Sequence, residues 1–293
     1  SCAYCIVPSV RGPAASRSAA EVVEEAHRLT DRGVREITLL GQNVNAWRDD
    51  GDHFPALLRL VAAVSGIERV RFTTSHPKDL DRGLIEVMAE NPKVMEAIHL
   101  PVQAGSDRTL AAMNRGYDRG HYLRLVRELR EAMPDIGLTT DLIVGFPGET
   151  ETDFQDTLDL LETIRYDETF SFRYSIRPGT VAATLPDQVA EPEKFERLYR
   201  LQDLQRRITE EKNEEQVGAV VEVLVEGPSK SDPDRLSGRS RQNRIVHFAG
   251  DYRPGDIVTV RIVKALKHSL LGEPEPADRS RPTGGKEGPC LWR

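Results

Sequence analysis

Cysteine is scarce in this 293-residue sequence, extended apolar runs are missing, and there is no excess of positive charge. The three cysteines, Cys2, Cys5 and Cys290, are too few for a disulfide framework. Two of them spaced C-x-x-C read, in a reducing compartment, as metal, cluster or redox chemistry. No apolar stretch reaches the roughly 18 residues a membrane-spanning helix needs, and the start lacks the basic-then-apolar layout of a secretory leader. A cytoplasmic protein with no membrane partner is therefore expected. A net charge of -7 argues against coating nucleic acid along the whole length, yet it permits a local basic patch. With 39% hydrophobic and 30% charged residues, the chain can bury one sizeable core and a second, smaller one.

From about residue 17 to residue 177 the pattern alternates between helix and strand. "SRSAAEVVEEAHRLTDRG" carries Ala19, Val22, Val23, Ala26 and Leu29 at helical spacing between a serine cap and the terminator Gly33. "EITLLGQNV" then reads as a short buried strand. Further helices are expected near 53–65, 79–90, 106–113, 118–133 and 150–165, and further strands at "RVRFTTS", "EAIHLPV", "GLTTDLIVGF" and "TFSFRYSI". Five strands in repeated β/α units predict an α/β fold with a parallel sheet inside helices, joined by right-handed connections. Polar or glycine signatures stand at the strand ends: Gly41-Gln42-Asn43, Ser75-His76-Pro77, Gln103 to Ser106, Gly145 to Glu149, and Arg177-Pro178-Gly179. In β/α barrels chemistry is built at that end.

Residues 191–216 predict a long polar connecting helix. Beyond it, "AVVEVLVEG", "LSGRSRQNRIVHF" and "DIVTVRIVKAL", with turns expected at Gly227-Pro228, Gly250 and Pro254-Gly255, suit a small antiparallel barrel of the oligonucleotide-binding (OB) sort. Between Arg235 and His268 eight lysines and arginines face two acids, a local excess of six. That segregation suits phosphate contact, against the plainer reading of a solvated charged face. Alternation in "GRSRQNR" would set Arg239 and Arg241 on one strand face as a basic stripe. Proline, glycine and charge predominate from about residue 274, so residues 274–293, with Cys290, are expected to be disordered.

The pair Cys2 and Cys5 can share one metal or one cluster, but iron–sulfur and zinc sites both need further ligands. By themselves the two cysteines leave a cluster, half a zinc site and coincidence open. Other strand-end residues are equally two-sided. "GQNVN" offers close backbone approach and amide hydrogen bonds, or a plain β-to-α turn. Gly145 and Gly148 could present a backbone edge or simply form tight turns. His99 could be a ligand-facing group or a satisfied core histidine. Arg11, Arg173 and Arg177 could meet an anion or lie on the surface.

The stretch "CAYCIVPSVRG" resembles the cluster loop of the radical S-adenosylmethionine methylthiotransferases, C-x-x-x-C-x-(aromatic)-C followed by (I/V)-V-P-x-x-R-G. Cys2 and Cys5 match its second and third cysteines and Tyr4 its aromatic position; the first cysteine would stand upstream of Ser1, so the sequence is expected to be cut through that motif. "LLGQNVNAW", "TTSHP", "HLPVQAGSDRTLAAMNRGY", "TTDLIVGFPGETETDF", "RPGTVAA" and "EGPSKSDPDRLSGRSRQNRIVHF" extend the likeness over about 270 residues, nearest to the members that act on transfer RNA.

The resemblance implies a partial (β/α)6 radical SAM barrel lacking its first strand (residues 1–213), followed by a small OB-like barrel of the TRAM type (214–273). It implies a 4Fe–4S cluster on Cys2 and Cys5, S-adenosylmethionine bound by Tyr4, Gly41, Gln42, Asn43, Ser75, His99, Gln103, Gly145, Glu149 and Arg177, and a second 4Fe–4S cluster in an N-terminal domain not contained here. The reaction implied inserts sulfur and a methyl group at carbon 2 of the isopentenylated adenosine 3′ of the anticodon. RNA contacts would come from Arg11, Arg239, Arg241, Arg244, Lys264 and Lys267. A tRNA anticodon loop, an electron donor such as a flavodoxin and a monomeric state complete the expectation. As given, the chain is expected to be inactive, one cluster ligand short. The alternatives are a methylthiotransferase acting on an aspartate of a small-subunit ribosomal protein, a non-catalytic RNA-binding fragment, and a zinc or thiol redox protein.

Overall fold

The computed structural model describes residues 2–12, 15–230 and 232–276. The expected tail, with Cys290, lies outside the described residues from 277 onward.

Local signals set the helices. After a short α1 (Val7–Arg11), which the sequence reading did not anticipate, α2 (Ala19–Thr30) opens with a capping box in which the Ser18 hydroxyl accepts from the Glu21 N–H and the Glu21 carboxylate accepts from the Ser18 N–H. There follow β1 (Glu36–Leu39), a two-rung hairpin of β2 (Arg48–Asp49) and β3 (Asp52–His53), α3 (Phe54–Ala63), β4 (Arg69–Phe72), α4 (Arg82–Glu90) and β5 (Ala97–His99). Next come α5 (Asp107–Ala112), α6 (Arg119–Ala132), β6 (Gly137–Val144), α7 (Glu151–Ile164), β7 (Glu168–Arg173) and the long α8 (Glu191–Glu214). Asp81, Ser106, Asp118 and Thr150 each cap a helix with a side-chain oxygen, so four of these starts satisfy donors that would otherwise be orphaned.

β1 pairs with β4 and β6 with both β5 and β7, all in parallel; a parallel bridge from Val70 to Val94 links the two sets in chain order. These five strands and their helices are the open, partial barrel expected. One face is packed: Val70, Phe72, Leu142 and Val144 join Leu58, Val61, Leu84, Leu129, Leu160 and Leu201 from the helices. Burying each such side chain is worth about 1.5–3 kcal/mol, so this layer fixes the strand register. The other face carries Thr139, Asp141 and Ile143, none of them fully buried.

The second unit is a closed five-stranded barrel, β10-β12-β11-β8-β9, built from β8 (Val220–Pro228), β9 (Leu236–Ser240), β10 (Ile245–Phe248), β11 (Ile257–Ala265) and β12 (Leu270–Pro274) around Val223, Val246, Phe248, Val260 and Ile262. Four of its pairings are antiparallel, and β10 closes on β12 in parallel. The turn expected at Gly227-Pro228 is instead a bulge inside β8, with the register shifting between Val225 and Gly227. Gly227 at φ 144 takes up the irregularity without ending the strand.

Candidate functional site

The two thiols sit at the C-terminal rim of the open barrel. The Cys5 N–H donates to the Cys2 carbonyl (3.2 Å), closing a turn that is stitched down by Ala3 N–H to the Met113 carbonyl (2.9 Å) and Ala182 N–H to the Ala3 carbonyl (2.8 Å). Tyr4 meets Phe146 edge-on at 6.2 Å, beside a buried cluster that includes Ala104, Leu110, Met113 and Tyr174. Cys2 and Cys5 are both free and half-buried.

Arg115, within the stretch "MNRGY" and absent from the expected site residues, is the group nearest this loop's chemistry. It is buried, and its Nη1 lies 3.0 Å from Cys2 Sγ and 3.4 Å from the Tyr4 hydroxyl, while Nε donates to the Tyr117 hydroxyl (2.9 Å) and Nη2 to the Pro101 carbonyl (3.2 Å). Burial pushes the Tyr117 phenol up to about 12, with Arg115 opposing; burial raises Tyr4 for the same reason. A fixed cation is thus held against a sulfur able to bind iron, where it stabilises negative charge. An arginine two residues past the C-cap Met113 of α5 gives no period to read; only the fold brings Arg115 to Cys2.

Along the same rim the Asn43 amide donates to Asp79 (2.6 Å) while its Oδ1 is buried without a partner; the Ser75 hydroxyl and the Tyr174 hydroxyl are likewise buried and unpartnered. Buried polar atoms without partners are costly and rare. Three of them around one rim fit a polar ligand such as the amino-acid end of S-adenosylmethionine. Gly41 and Gln42 are exposed, and a Cβ on Gly41 would stand 3.1 Å from the Val44 Cα, so the turn into Val44 requires close backbone approach. Gln103, at φ 77, is buried and bridges to Leu142 of β6. Arg177 and Arg11 are exposed, the former accepting from Thr180 through its carbonyl. Arg173 pairs with Glu191 and covers the Phe195 ring, on the surface side of its strand.

Glu149 departs from its expected place. Its carboxylate turns inward, accepting from the Gly145 N–H (2.8 Å) and pairing with the buried Arg197 of α8 (2.9 Å). It braces the loop on which Gly145 stands rather than facing a ligand. A Cβ on Gly145 would come 2.3 Å from Lys194 Cγ, which together with φ 70 explains the glycine. His99 also lies away from the rim, on the open inner face of the sheet, with Nε2 3.3 Å from Asp141 and Nδ1 3.0 Å from the Thr139 hydroxyl.

The basic stripe of the small barrel is the largest revision. β9 ends at Ser240, and the chain turns through Asn243 in the left-handed region (φ 69), so the alternation that would align Arg239 with Arg241 stops. Arg241 pairs with Glu96 and donates to the Pro92 carbonyl (2.7 Å); Arg244 pairs with Asp167 (2.8 Å); Arg239 pairs with Glu226. In return Arg69 donates to the Arg239 carbonyl (2.9 Å) and Arg71 to the Ser240 carbonyl (2.7 Å). The guanidiniums of Arg69, Arg71, Arg241 and Arg244 thus form the seam between the two barrels, at the N-terminal ends of the parallel strands, while that of Arg239 stays within the small barrel on Glu226 and Asn243; they are not one open RNA-facing stripe. Lys264 and Lys267 do remain exposed. A cavity of about 410 Å³ opens along the seam, lined by Arg206, Lys212, Arg244, Lys267 and His268 together with Asp167 and Glu168. Among the described residues, no group of three or more His, Cys, Asp or Glu is placed to hold a metal, and no helix is long and apolar enough to cross a membrane.

Comparison with known proteins agrees with both units. Residues 214–274 match the TRAM domain. The chain is 54% identical over 276 residues to a tRNA-2-methylthio-N(6)-dimethylallyladenosine synthase of Moorella thermoacetica, covering 93% of this chain and 62% of the relative. It is 52% identical to the synthase of the same name from Alkaliphilus oremlandii, covering 93% and 59%. The chain therefore spans about 60% of the length of the curated relatives it matches. Among solved structures, the radical S-adenosylmethionine methyltransferase TsrM of Kitasatospora setae shares the fold at a TM-score of 0.52 and 21% identity, covering 62% of this chain and 36% of that one. Coproporphyrinogen III oxidase (HemN) of Escherichia coli does so at 0.51 and 12%, covering 76% and 60%. With residues 1–161 matching the Radical SAM superfamily on a barrel whose C-terminal rim carries the cysteine loop, the chain belongs to that superfamily.

Proposed function

We propose that the two barrels serve the methylthiolation of transfer RNA, at carbon 2 of an N6-isopentenylated adenosine in the anticodon loop. The carrying observation is the pairing of the Cys2–Cys5 loop, pinned at the barrel rim by Arg115, with a TRAM barrel locked to the same body, in a chain about half identical to synthases of that name. Residues 1–213 form the reaction unit in this reading and residues 214–273 the RNA-binding unit.

Cys2 and Cys5 are two ligands for a 4Fe–4S cluster, and Asn43, Ser75 and Tyr174 supply free hydrogen-bonding capacity for S-adenosylmethionine beside it. When bound, cluster and cofactor supply reductive cleavage of the sulfonium and a carbon-centred radical. The chain's own part is positional. Arg115 holds positive charge on Cys2, Gly145 and its Glu149–Arg197 brace shape the loop beside Tyr4 and Phe146, and Tyr4 fixes the cysteine turn. Of the expected RNA contacts, Arg11, Lys264 and Lys267 are exposed and would meet phosphate. A small electron-transfer protein such as a flavodoxin would deliver the electron, to a monomer in the cytoplasm.

The chain joined in frame to the N-terminal segment of the Moorella relative, expressed in cells lacking the synthase, should restore 2-methylthio-N6-isopentenyladenosine in digested tRNA, read by mass spectrometry. Cys2→Ala or Cys5→Ala should abolish the product while leaving tRNA affinity within about twofold. Absence of the product from the unsubstituted protein, with its cluster shown to be assembled, would overturn the reading.

A further inference from the structure

We propose that the inner face of β5, β6 and β7 is a seat for a flat nitrogenous base, stacked on Phe170 and Phe172 and read at its edge by Asp141, which His99 orients; this rests on the tRNA reading above. The two phenylalanines are 45% and 54% exposed although they lie in the middle of a strand of the sheet. Their neighbours on the opposite face are engaged by α8, Ser171 with Gln202 and Arg173 with Glu191. One face of β7 is thus used for packing, and the other presents two aromatic rings that stay about half exposed. Exposed rings of this kind mark binding surfaces.

The polar partners are placed by register. Asp141 stands opposite Phe170 and Ile143 opposite Phe172, so His99, Asp141 and both rings share one face. The His99 ring meets Phe170 edge-on at 5.7 Å, with Nε2 3.3 Å from Asp141 and Nδ1 at the Thr139 hydroxyl. With both imidazole nitrogens engaged, His99 holds Asp141 in place, and the second oxygen of that half-buried carboxylate is an acceptor that the N6–H of an adenine edge matches, whereas an apolar peptide offers it no donor. Two aromatic faces add sequence-tolerant stacking.

Height along the barrel fits as well. Ile143 packs against the cluster containing Tyr4 and Phe146, and at about 3.3 Å per residue Asp141 lies roughly 7 Å below it. A base lying on Phe170 and Phe172 therefore sits directly beneath the cysteine loop, and an apolar N6 substituent could rest on the second ring. A base inside an anticodon loop reaches such a seat by leaving its stack.

The test compares two anticodon stem-loop RNAs, one with the target adenosine and one abasic at that position, binding to the chain as measured by fluorescence anisotropy. The unsubstituted chain should prefer the adenosine RNA by roughly tenfold, the scale of one base–aromatic stack. The double substitution Phe170→Leu and Phe172→Leu keeps apolar volume and loses the flat faces. It should reduce the preference to near unity while leaving affinity for the abasic RNA unaltered, which also reports an intact fold. A preserved tenfold preference in the double variant overturns the seat. So does an unsubstituted chain that binds both RNAs equally, in which case the tRNA reading stands. Failure to bind either RNA removes the tRNA reading and the seat with it.

Discussion

Glu149 shows how one carboxyl can couple the rim to the supporting helix. Burial pushes it up to about 7, and the Gly145 N–H and Arg197 oppose that rise only in part. A group whose folded pKa is raised stabilises the fold at pH values below its ordinary value and loses that contribution as pH rises through the folded value. Thermal stability should therefore fall between about pH 4.5 and pH 7 by up to about 3 kcal/mol for this group. Glu149→Gln, which still accepts from Gly145, should flatten that leg in calorimetric scans. A variant retaining the full slope would assign the slope to another residue. Arg115 is the counterpart at the thiols: it was in plain view in the sequence, but a buried arginine has no sequence period, and only the turn of the chain between α5 and α6 points it at Cys2.

At the scale of elements, the approach of the second barrel to β6 depends on one glycine. A Cβ on Gly137 would stand 2.2 Å from the Gln242 carbonyl oxygen, in the turn after β9. Gly137 has ordinary backbone angles, so Gly137→Ala should leave the strand intact and push the turn away. Overpacking of this kind costs about 1–3 kcal/mol. We expect faster proteolysis between α8 and β8, with little change in the far-ultraviolet circular dichroism; unaltered proteolysis would show that the turn can give without cost. The helices from α2 onward and the five parallel strands were legible in the sequence to within a few residues, because caps and apolar spacing act within one element, whereas the five-residue α1 was not. The face toward which "GRSRQNR" points was not, because it depends on where β9 stops and on acids more than 70 positions away, Glu96 and Asp167.

Over the whole molecule, the seam makes the two barrels one body. Asp167 is buried, which alone would raise its pKa, yet Arg244 and Lys212 hold it below the ordinary carboxylate value. Its contribution is present above about pH 4 and is lost as pH falls through the depressed folded value. Acid should therefore loosen the seam. Asp167→Asn at neutral pH should reproduce that loosening, costing about 3 kcal/mol or more because Arg244 and Lys212 would stay buried without their anion. Hydrogen exchange that rises in β9 and β10 while the parallel strands stay protected is the expected signature; uniform exchange across both barrels would contradict it.

What residue order alone decides here is local: which segments become helix or strand, where each begins, and that cysteine, glycine and polar residues gather at strand ends. Those outcomes depend on spacing within about a dozen residues. The tertiary structure decides which side chains meet. It sets Arg115 against Cys2, turns Glu149 away from the rim, uses the guanidiniums of the basic strand in a seam, and leaves Phe170 and Phe172 uncovered. Each of these depends on packing between residues far apart in the chain, where burial and charge partners outweigh any local preference.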